Sequence, residues 1–165
     1  NIENASLESW DRHIGSNLKA PLFLMQEFSK QICEEKNDSN GENIPTGNIV
    51  NIVDQRVLKK TPEFFTYSLA KMGLWALTQT AAQALAPNIR VNAIGPGPTL
   101  KGHRQRNDHF VKQRKNTVLN RGSAPIEIVE ALKFILNTPS MTGQLICIDG
   151  GQHLAWKTAD IIGLE

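Results

Sequence analysis

The chain has 165 residues, 40% hydrophobic and 21% charged, with a formal net charge of +2. That is enough for one domain with a real core, and so small a positive excess excludes a nucleic-acid footprint. No apolar run approaches the ~18 residues of a membrane span, and the polar start Asn1-Ile2-Glu3-Asn4 lacks the basic region of a signal peptide.

In chain order, residues 7–35 read as a long helix. Ser6 is placed to cap it and Glu8 suits the positive end of its dipole. Trp10, Ile14, Leu18, Leu22, Met25 and Phe28 recur at three and four, a stripe expected to be buried, and Pro21 should kink the helix. Residues 36–46 are polar and read as a surface loop. Residues 48–53 form a short β-rich run of the kind buried on both faces. A turn at Lys59-Lys60-Thr61-Pro62 leads to a helix over 66–86, ended by Pro87. A strand follows at 89–94, then a polar, irregular stretch at 101–116. A helix at 125–137 has Pro125 at its start, and a last strand at 145–148 is stopped by Gly150-Gly151. Strand, helix, strand, helix, strand predicts an α/β fold with a parallel sheet and right-handed crossovers. Cys33 and Cys147 lie in apolar-patterned segments and read as buried free thiols of a reducing, cytoplasmic setting. No spacing suggests a metal, and His103, His109, Arg121 and His153 receive no role.

The chemistry concentrates around Tyr67-Ser-Leu-Ala-Lys71. A Tyr and a Lys four apart on a helix share one face, ~5–6 Å apart at Cβ. An ammonium that close favours the phenolate, making the tyrosine a proton donor and acceptor nearer neutral pH than its usual ~10. Asp54 closes the preceding strand thirteen residues upstream, and Gly95-Pro96-Gly97-Pro98-Thr99 closes the next.

These features, with Ser16-Asn17-Leu18, Asn48-Ile49-Val50-Asn51-Ile52, Ile89-Arg90-Val91-Asn92-Ala93, Thr142-Gly143-Gln144 and Asp149-Gly150-Gly151, span most of the chain and resemble the short-chain dehydrogenase/reductase family. The resemblance implies a Rossmann-type, doubly wound parallel sheet and a catalytic set of Tyr67, Lys71, Asp54 and Asn17. Lys71 would also bond the nicotinamide ribose, and Asn17 would hold a water in a proton relay to the lysine. Pro96 and Gly97 would lie against the nicotinamide carboxamide, with Thr99 within reach of it, although Pro98 removes one N–H often used there. NADP is the implied cofactor, NAD the alternative, and the residues that discriminate them would lie in the N-terminal half of the fold. No G-x-G-x-x-G follows a strand in this chain. Residues 1–165 therefore read as the C-terminal part of a single dinucleotide-binding catalytic domain.

Most members of the family carry serine where this chain has Asp54, and an aspartate there resembles the pteridine reductase and dihydromonapterin reductase branch. The chemistry agrees with that departure. An ionised carboxylate would repel the oxyanion of a reduced ketone, whereas a carboxyl with a raised pKa can relay a proton to a ring nitrogen, and the carboxylate can accept from an amino-bearing heterocycle. It can also simply end a strand and cap a turn. The expected activity is NAD(P)H-dependent reduction of a small molecule, a pteridine or dihydropterin first. A carbonyl or 3-oxoacyl reductase, or a catalytically silent binding or scaffold protein of the same fold, are the alternatives. The basic run Lys101, Arg104, Arg106, Lys112, Arg114 and Lys115 reads as a solvated lid or as one that attracts an anion. A homodimer or homotetramer is expected through the stripe from Trp10 to Phe28 and through Leu74, Trp75, Leu77, Ala81 and Leu85. No nucleic acid, membrane or metal partner is expected.

Overall fold

The computed structural model describes residues 1–31, 35–103 and 105–156, which leaves Cys33 and Arg104 outside it. Three short apolar runs become strands β1 (Gly47–Ile52), β2 (Ile89–Pro96) and β3 (Leu145–Ile148), in one parallel sheet of order β1-β2-β3. The register sets Val50 opposite Asn92 and Ile94 opposite Ile146. Because side chains alternate across a strand, this sheet builds two cores. On one face Ile49, Val91 and Ala93 pack with Met25 from helix α2 (Ala20–Ser29) and Leu74, Ala81 and Ala82 from helix α3 (Phe65–Ala84). On the other, Val50, Ile94, Ile146 and Ile148 pack with Ala131 and Ile135 of helix α5 (Pro125–Leu136). Helices on both faces of a parallel sheet are the doubly wound α/β architecture.

The crossovers depart from expectation. The steps from β1 to β2 and from β2 to β3 run in the same direction across the sheet. Their packed helices, α3 and α5, lie on opposite faces. Two such steps cannot share a hand, so one is left-handed against the strong general preference. The connection from β2 to β3 is no tight strand–helix–strand unit, since it also carries helix α4 (Asn107–Lys115).

The first helix is also remodelled. Ser6 Oγ accepts from Ser9 N at 3.1 Å and caps α1 (Leu7–Ile14), as its residue type predicts. A π-helical segment, Gly15–Lys19, then precedes α2, and the helix ends at Ser29 rather than 35. Pro21 has no N–H for the carbonyl of Asn17 four residues back, and the widened turn absorbs that mismatch. The expected stripe is only partly buried: Met25 is inside, but Trp10 and Leu22 remain 42% and 45% exposed. On α3, Leu74 and Ala81 are buried in the chain's own core, so they offer no surface to a second copy.

The stretch expected to be irregular holds α4. Asp108 stands in its first turn and Lys112, Arg114 and Lys115 in its last, the order that complements the helix dipole. Arg114 is no free lid cation: its guanidinium donates to the carbonyls of Pro98, Ser123 and Gly122. Buried Arg90 acts similarly, donating to the carbonyls of Ile135, Leu136 and Met141 and so capping α5. Asn92 brackets the same loop by donating to Met141 O and accepting from Gln144 N. Among the described residues no helix is long and apolar enough to cross a membrane.

Candidate active site

The C-terminal ends of β1 and β2, the start of α3 and one face of α1 enclose a cleft of about 670 Å³. Ligands of open α/β sheets bind at this end of the strands. Asp54 lies two residues past β1 and uses both carboxylate oxygens. Oδ1 accepts from Arg56 N at 2.9 Å and caps the 3₁₀ turn Gln55–Val57, and Oδ2 accepts from Tyr67 Oη at 2.9 Å. The turn-capping role and a role beside the tyrosine therefore coexist in one side chain.

Tyr67 sits in the first turn of α3, whose Phe64 carbonyl accepts the opening hydrogen bond from Ser68 N. Lys71, one turn on, places Nζ 5.8 Å from the Tyr67 ring centroid and donates to Ile52 O at 2.8 Å. That pairing corrects the expected electrostatics. Burial first, then the charge and hydrogen bond of Asp54, push the Tyr67 hydroxyl well above its ordinary value, with only Arg56 acting the other way. Burial lowers Lys71, which the Asp54 charge partly offsets. The lysine fails to acidify the tyrosine because its ammonium is drawn to a β1 carbonyl while a carboxylate takes the hydroxyl. Tyr67 is thus held protonated, as a donor.

Asn17 lies in the π segment, donating to His13 O at 3.2 Å and to Ser16 Oγ at 2.9 Å, and it makes no hydrogen bond to Lys71. The segment approaches α3 at Gly73, where a Cβ would fall 2.8 Å from Leu18 Cδ2. Pro96 and Gly97 border the cleft, and a Cβ on Gly97 would fall 2.6 Å from Asp149 Cα. Gly97 N–H donates to Ile148 O, and neither proline has an N–H. Residues 96–98 can therefore accept from a bound amide but not donate to one. Thr99 stands off the cleft: its hydroxyl donates to Gly97 O and is also bonded to Ser123 Oγ. Asp149, 2% exposed, accepts from Gly151 N and both Nδ1 and N of His153, a structural lock on the loop behind Gly97.

Several cleft residues were not anticipated. Ser9 and His13 line it and fall eight and four residues before the expected Asn17, a spacing that puts the three on one helix face. His13 Nδ1 lies 2.8 Å from Thr66 Oγ1, which is 3.0 Å from Ser9 Oγ, and the imidazole meets the Tyr67 ring edge-on at 5.7 Å. Burial and neighbouring Arg12 lower the His13 pKa, which favours its neutral form. Arg56 and Phe64 form another wall. Gln55, 4% exposed beside them, has a buried Oε1 with no hydrogen-bond partner among the described residues. On the α4 side the cleft meets Gln105 and Gln113, bonded to each other at 2.8 Å. Its cationic side chains among the described residues are Arg12 and Arg56, not the basic run.

A family model described as enoyl-(acyl carrier protein) reductase matches residues 1–153. The "Probable galactose dehydrogenase GalD" of Rhizobium meliloti is 31% identical over 157 residues, 91% of this chain and 58% of that protein. Pteridine reductase 1 of Leishmania tarentolae is 31% identical over 147 residues, 85% of this chain and 49% of that protein. The crystal structure of FolM alternative dihydrofolate reductase 1 from Brucella canis, complexed with NADP, is 43% identical with a TM-score of 0.89. That match covers 98% of this chain and 61% of the FolM chain. This chain thus spans 49% to 61% of the length of these three proteins.

Proposed function

The chain belongs to the short-chain dehydrogenase/reductase family, and from that premise we propose that it is the catalytic, C-terminal part of an NADP-dependent reductase of a pteridine or dihydropterin. The observation that carries this reading is the 2.9 Å hydrogen bond from Tyr67 to Asp54 at the edge of the cleft. The likeness to pteridine reductase 1 and to the NADP-bound FolM structure supports it.

The residues present fit the nicotinamide end of the cofactor. An ammonium has three protons, and Lys71 directs one at Ile52 O, leaving others for ribose hydroxyls beside Tyr67. The close approach of Gly97 to Asp149 leaves backbone, not side chain, facing the cleft, and the carbonyl-only character of residues 96–98 suits a carboxamide NH₂. When bound there, the cofactor supplies the hydride. Thr99 is too committed to Ser123 and Gly97 to be its main contact.

Reduction of a C=N bond puts the hydride on carbon and needs one proton on nitrogen. Tyr67, protonated in these surroundings, would give that proton from Oη, because a C=N nitrogen whose carbon has taken the hydride is a stronger base than the phenolate left behind. Asp54 orients the hydroxyl and can accept from the amino group of the heterocycle. For a ketone the same carboxylate faces a developing oxyanion and raises the barrier, which sets the 3-oxoacyl reading behind. Asn17 would act through the π segment rather than by a direct bond to Lys71. We place the enzyme in the cytoplasm as a homodimer or homotetramer.

The test is NADPH oxidation by the full-length protein with a dihydropterin and with an acetoacetyl thioester. Faster turnover of the dihydropterin is expected. Preference for the thioester would establish the carbonyl alternative, and no turnover of either would favour a silent scaffold.

A further inference from the structure

Phe64 breaks two local rules at once. It is the residue that opens α3, yet its backbone is left-handed, with φ 56° and ψ 43°. For a side chain with a Cβ that conformation is strained by roughly 1–2 kcal/mol. An N-cap is normally extended and carries an oxygen that accepts from the first turn. A phenyl ring offers no such oxygen, and no side-chain cap bond forms here. Residues held against local preference cluster at ligand clamps.

The ring is also large, apolar and 59% exposed, although it borders the cleft that holds Tyr67 and Asp54. It does not hang loose. Arg56 Cζ lies 4.4 Å from the ring centroid, a cation–π stack on one face. The Arg56 backbone is itself fixed, because its N–H donates to Asp54 Oδ1. The carboxylate thus holds the backbone of the residue whose guanidinium lies on the phenyl ring. Among the described residues, the ring's other face has no aromatic stacking partner. With a guanidinium drawing electron density from its first face, that second face is suited to a flat, electron-rich ring system such as an amino-substituted heterocycle rather than to a flexible acyl chain.

We propose that Phe64, backed by Arg56, is the stacking platform by which this cleft selects a planar fused heterocycle. The proposal rests on the reductase reading above for its substrate and adds the residue that recognises the substrate's shape. Phe64 is a specificity residue in it, and the strained backbone is what keeps the ring at the cleft.

The experiment uses the full-length protein with Phe64→Ala, Phe64→Gly and Arg56→Lys. The readouts are KM and kcat for a dihydropterin, the affinity for 2,4-diaminopteridine by fluorescence quenching in the presence of NADPH, and Tm. With Phe64→Ala the KM should rise about 10-fold and the diaminopteridine should weaken equally, the measure of one lost ring stack. The kcat should stay within about twofold. Arg56→Lys, which keeps the charge but loses the planar partner, should shift both in the same direction by less. Phe64→Gly should lose affinity while holding or raising Tm, because glycine takes the left-handed conformation without strain. A fall in Tm with unchanged KM and affinity would make Phe64 a structural residue and overturn the proposal. The two readings fail separately. A wild type that reduces dihydropterins, with Phe64→Ala indistinguishable from it, sinks the platform alone. A wild type that reduces none, yet binds the diaminopteridine in a Phe64-dependent way, sinks the assigned reaction alone. A wild type that does neither sinks both.

Discussion

Replacing Asp54 separates its two oxygens. Asp54→Asn keeps an acceptor for Arg56 N, so the turn Gln55–Val57 stays capped, but it removes the negative charge that accepts the Tyr67 hydrogen bond. Asp54→Ser can still cap but is one atom too short to keep the Tyr67 contact unchanged. A hydrogen bond to a charged group contributes about 1.5–3 kcal/mol, so each variant should lose roughly that much. In a protein of this size class that is about 3–12 °C in Tm. With the charge gone, the Tyr67 pKa should fall back toward its ordinary value, though not to it, because burial is its largest cause. Turnover of a dihydropterin should drop by ~10²-fold, because the carboxylate that orients the hydroxyl and accepts from the heterocycle is lost, and this outweighs the gain in Tyr67 acidity, while reduction of an activated ketone should hold or rise as the repulsion of the oxyanion disappears. The assay is NADPH oxidation with both substrates, alongside thermal melts. Asp54→Asn that reduces dihydropterins as fast as wild type would show that the carboxylate only caps its turn, and the pteridine assignment would lose its main physical support.

Tyr67→Phe removes the transferable proton and should lower turnover by about 10²-fold with NADPH affinity, read by fluorescence titration, nearly intact. It should also flatten the alkaline melt. A folded-state pKa raised above the unfolded ~10 gives stability that is lost as pH climbs past 10, so the wild-type Tm should fall more steeply over that window than the mutant's. Gly97→Ala sets a Cβ 2.6 Å from Asp149 Cα, a backbone atom that cannot rotate away. Roughly 1–3 kcal/mol of overpacking is expected, and an unchanged Tm together with unchanged NADPH affinity would disprove the close approach. Burial, then Asp149 and Asp54, push the Cys147 thiol up to about 11. Its alkylation by iodoacetamide, followed on the Cys147 peptide by mass spectrometry, should be slow at pH 8 and climb toward pH 11, and a midpoint near 8.5 would contradict that environment.

That Tyr67, Lys71 and Asp54 lie together was legible because two share a helix face and the third follows the strand beside them. What the spacing could not carry was their electrostatics. Lys71 is four residues from Tyr67, but which partner each group takes depends on the fold. The ammonium goes to Ile52 O and the hydroxyl to Asp54, reversing the expected direction for the tyrosine. His13 was missed for a similar reason: its partner Thr66 is fifty-three residues away, and only the common face of residues 9, 13 and 17 hinted at it. The basic run misled because composition does not say that Arg114 holds three carbonyls of a neighbouring loop. Phe64 carried no signal at all, since a strained φ is visible only in coordinates. The strands, by contrast, followed from their apolar runs, and Pro21 correctly marked where the first helix could not stay regular.

The opposite placement of α3 and α5 has a consequence for how this sequence can change over time. Leu74 and Ile135, large buried anchors of the two helices, belong to separate clusters with the sheet between them. Truncations at the two positions share no cavity, so their effects on stability should add rather than couple. Substitutions can accumulate under α5, each compensated by a neighbour on that side, without disturbing the face on which Tyr67 and Lys71 are held. The sheet insulates the chemistry from mutational drift on its far side, and its two faces are free to evolve at different rates.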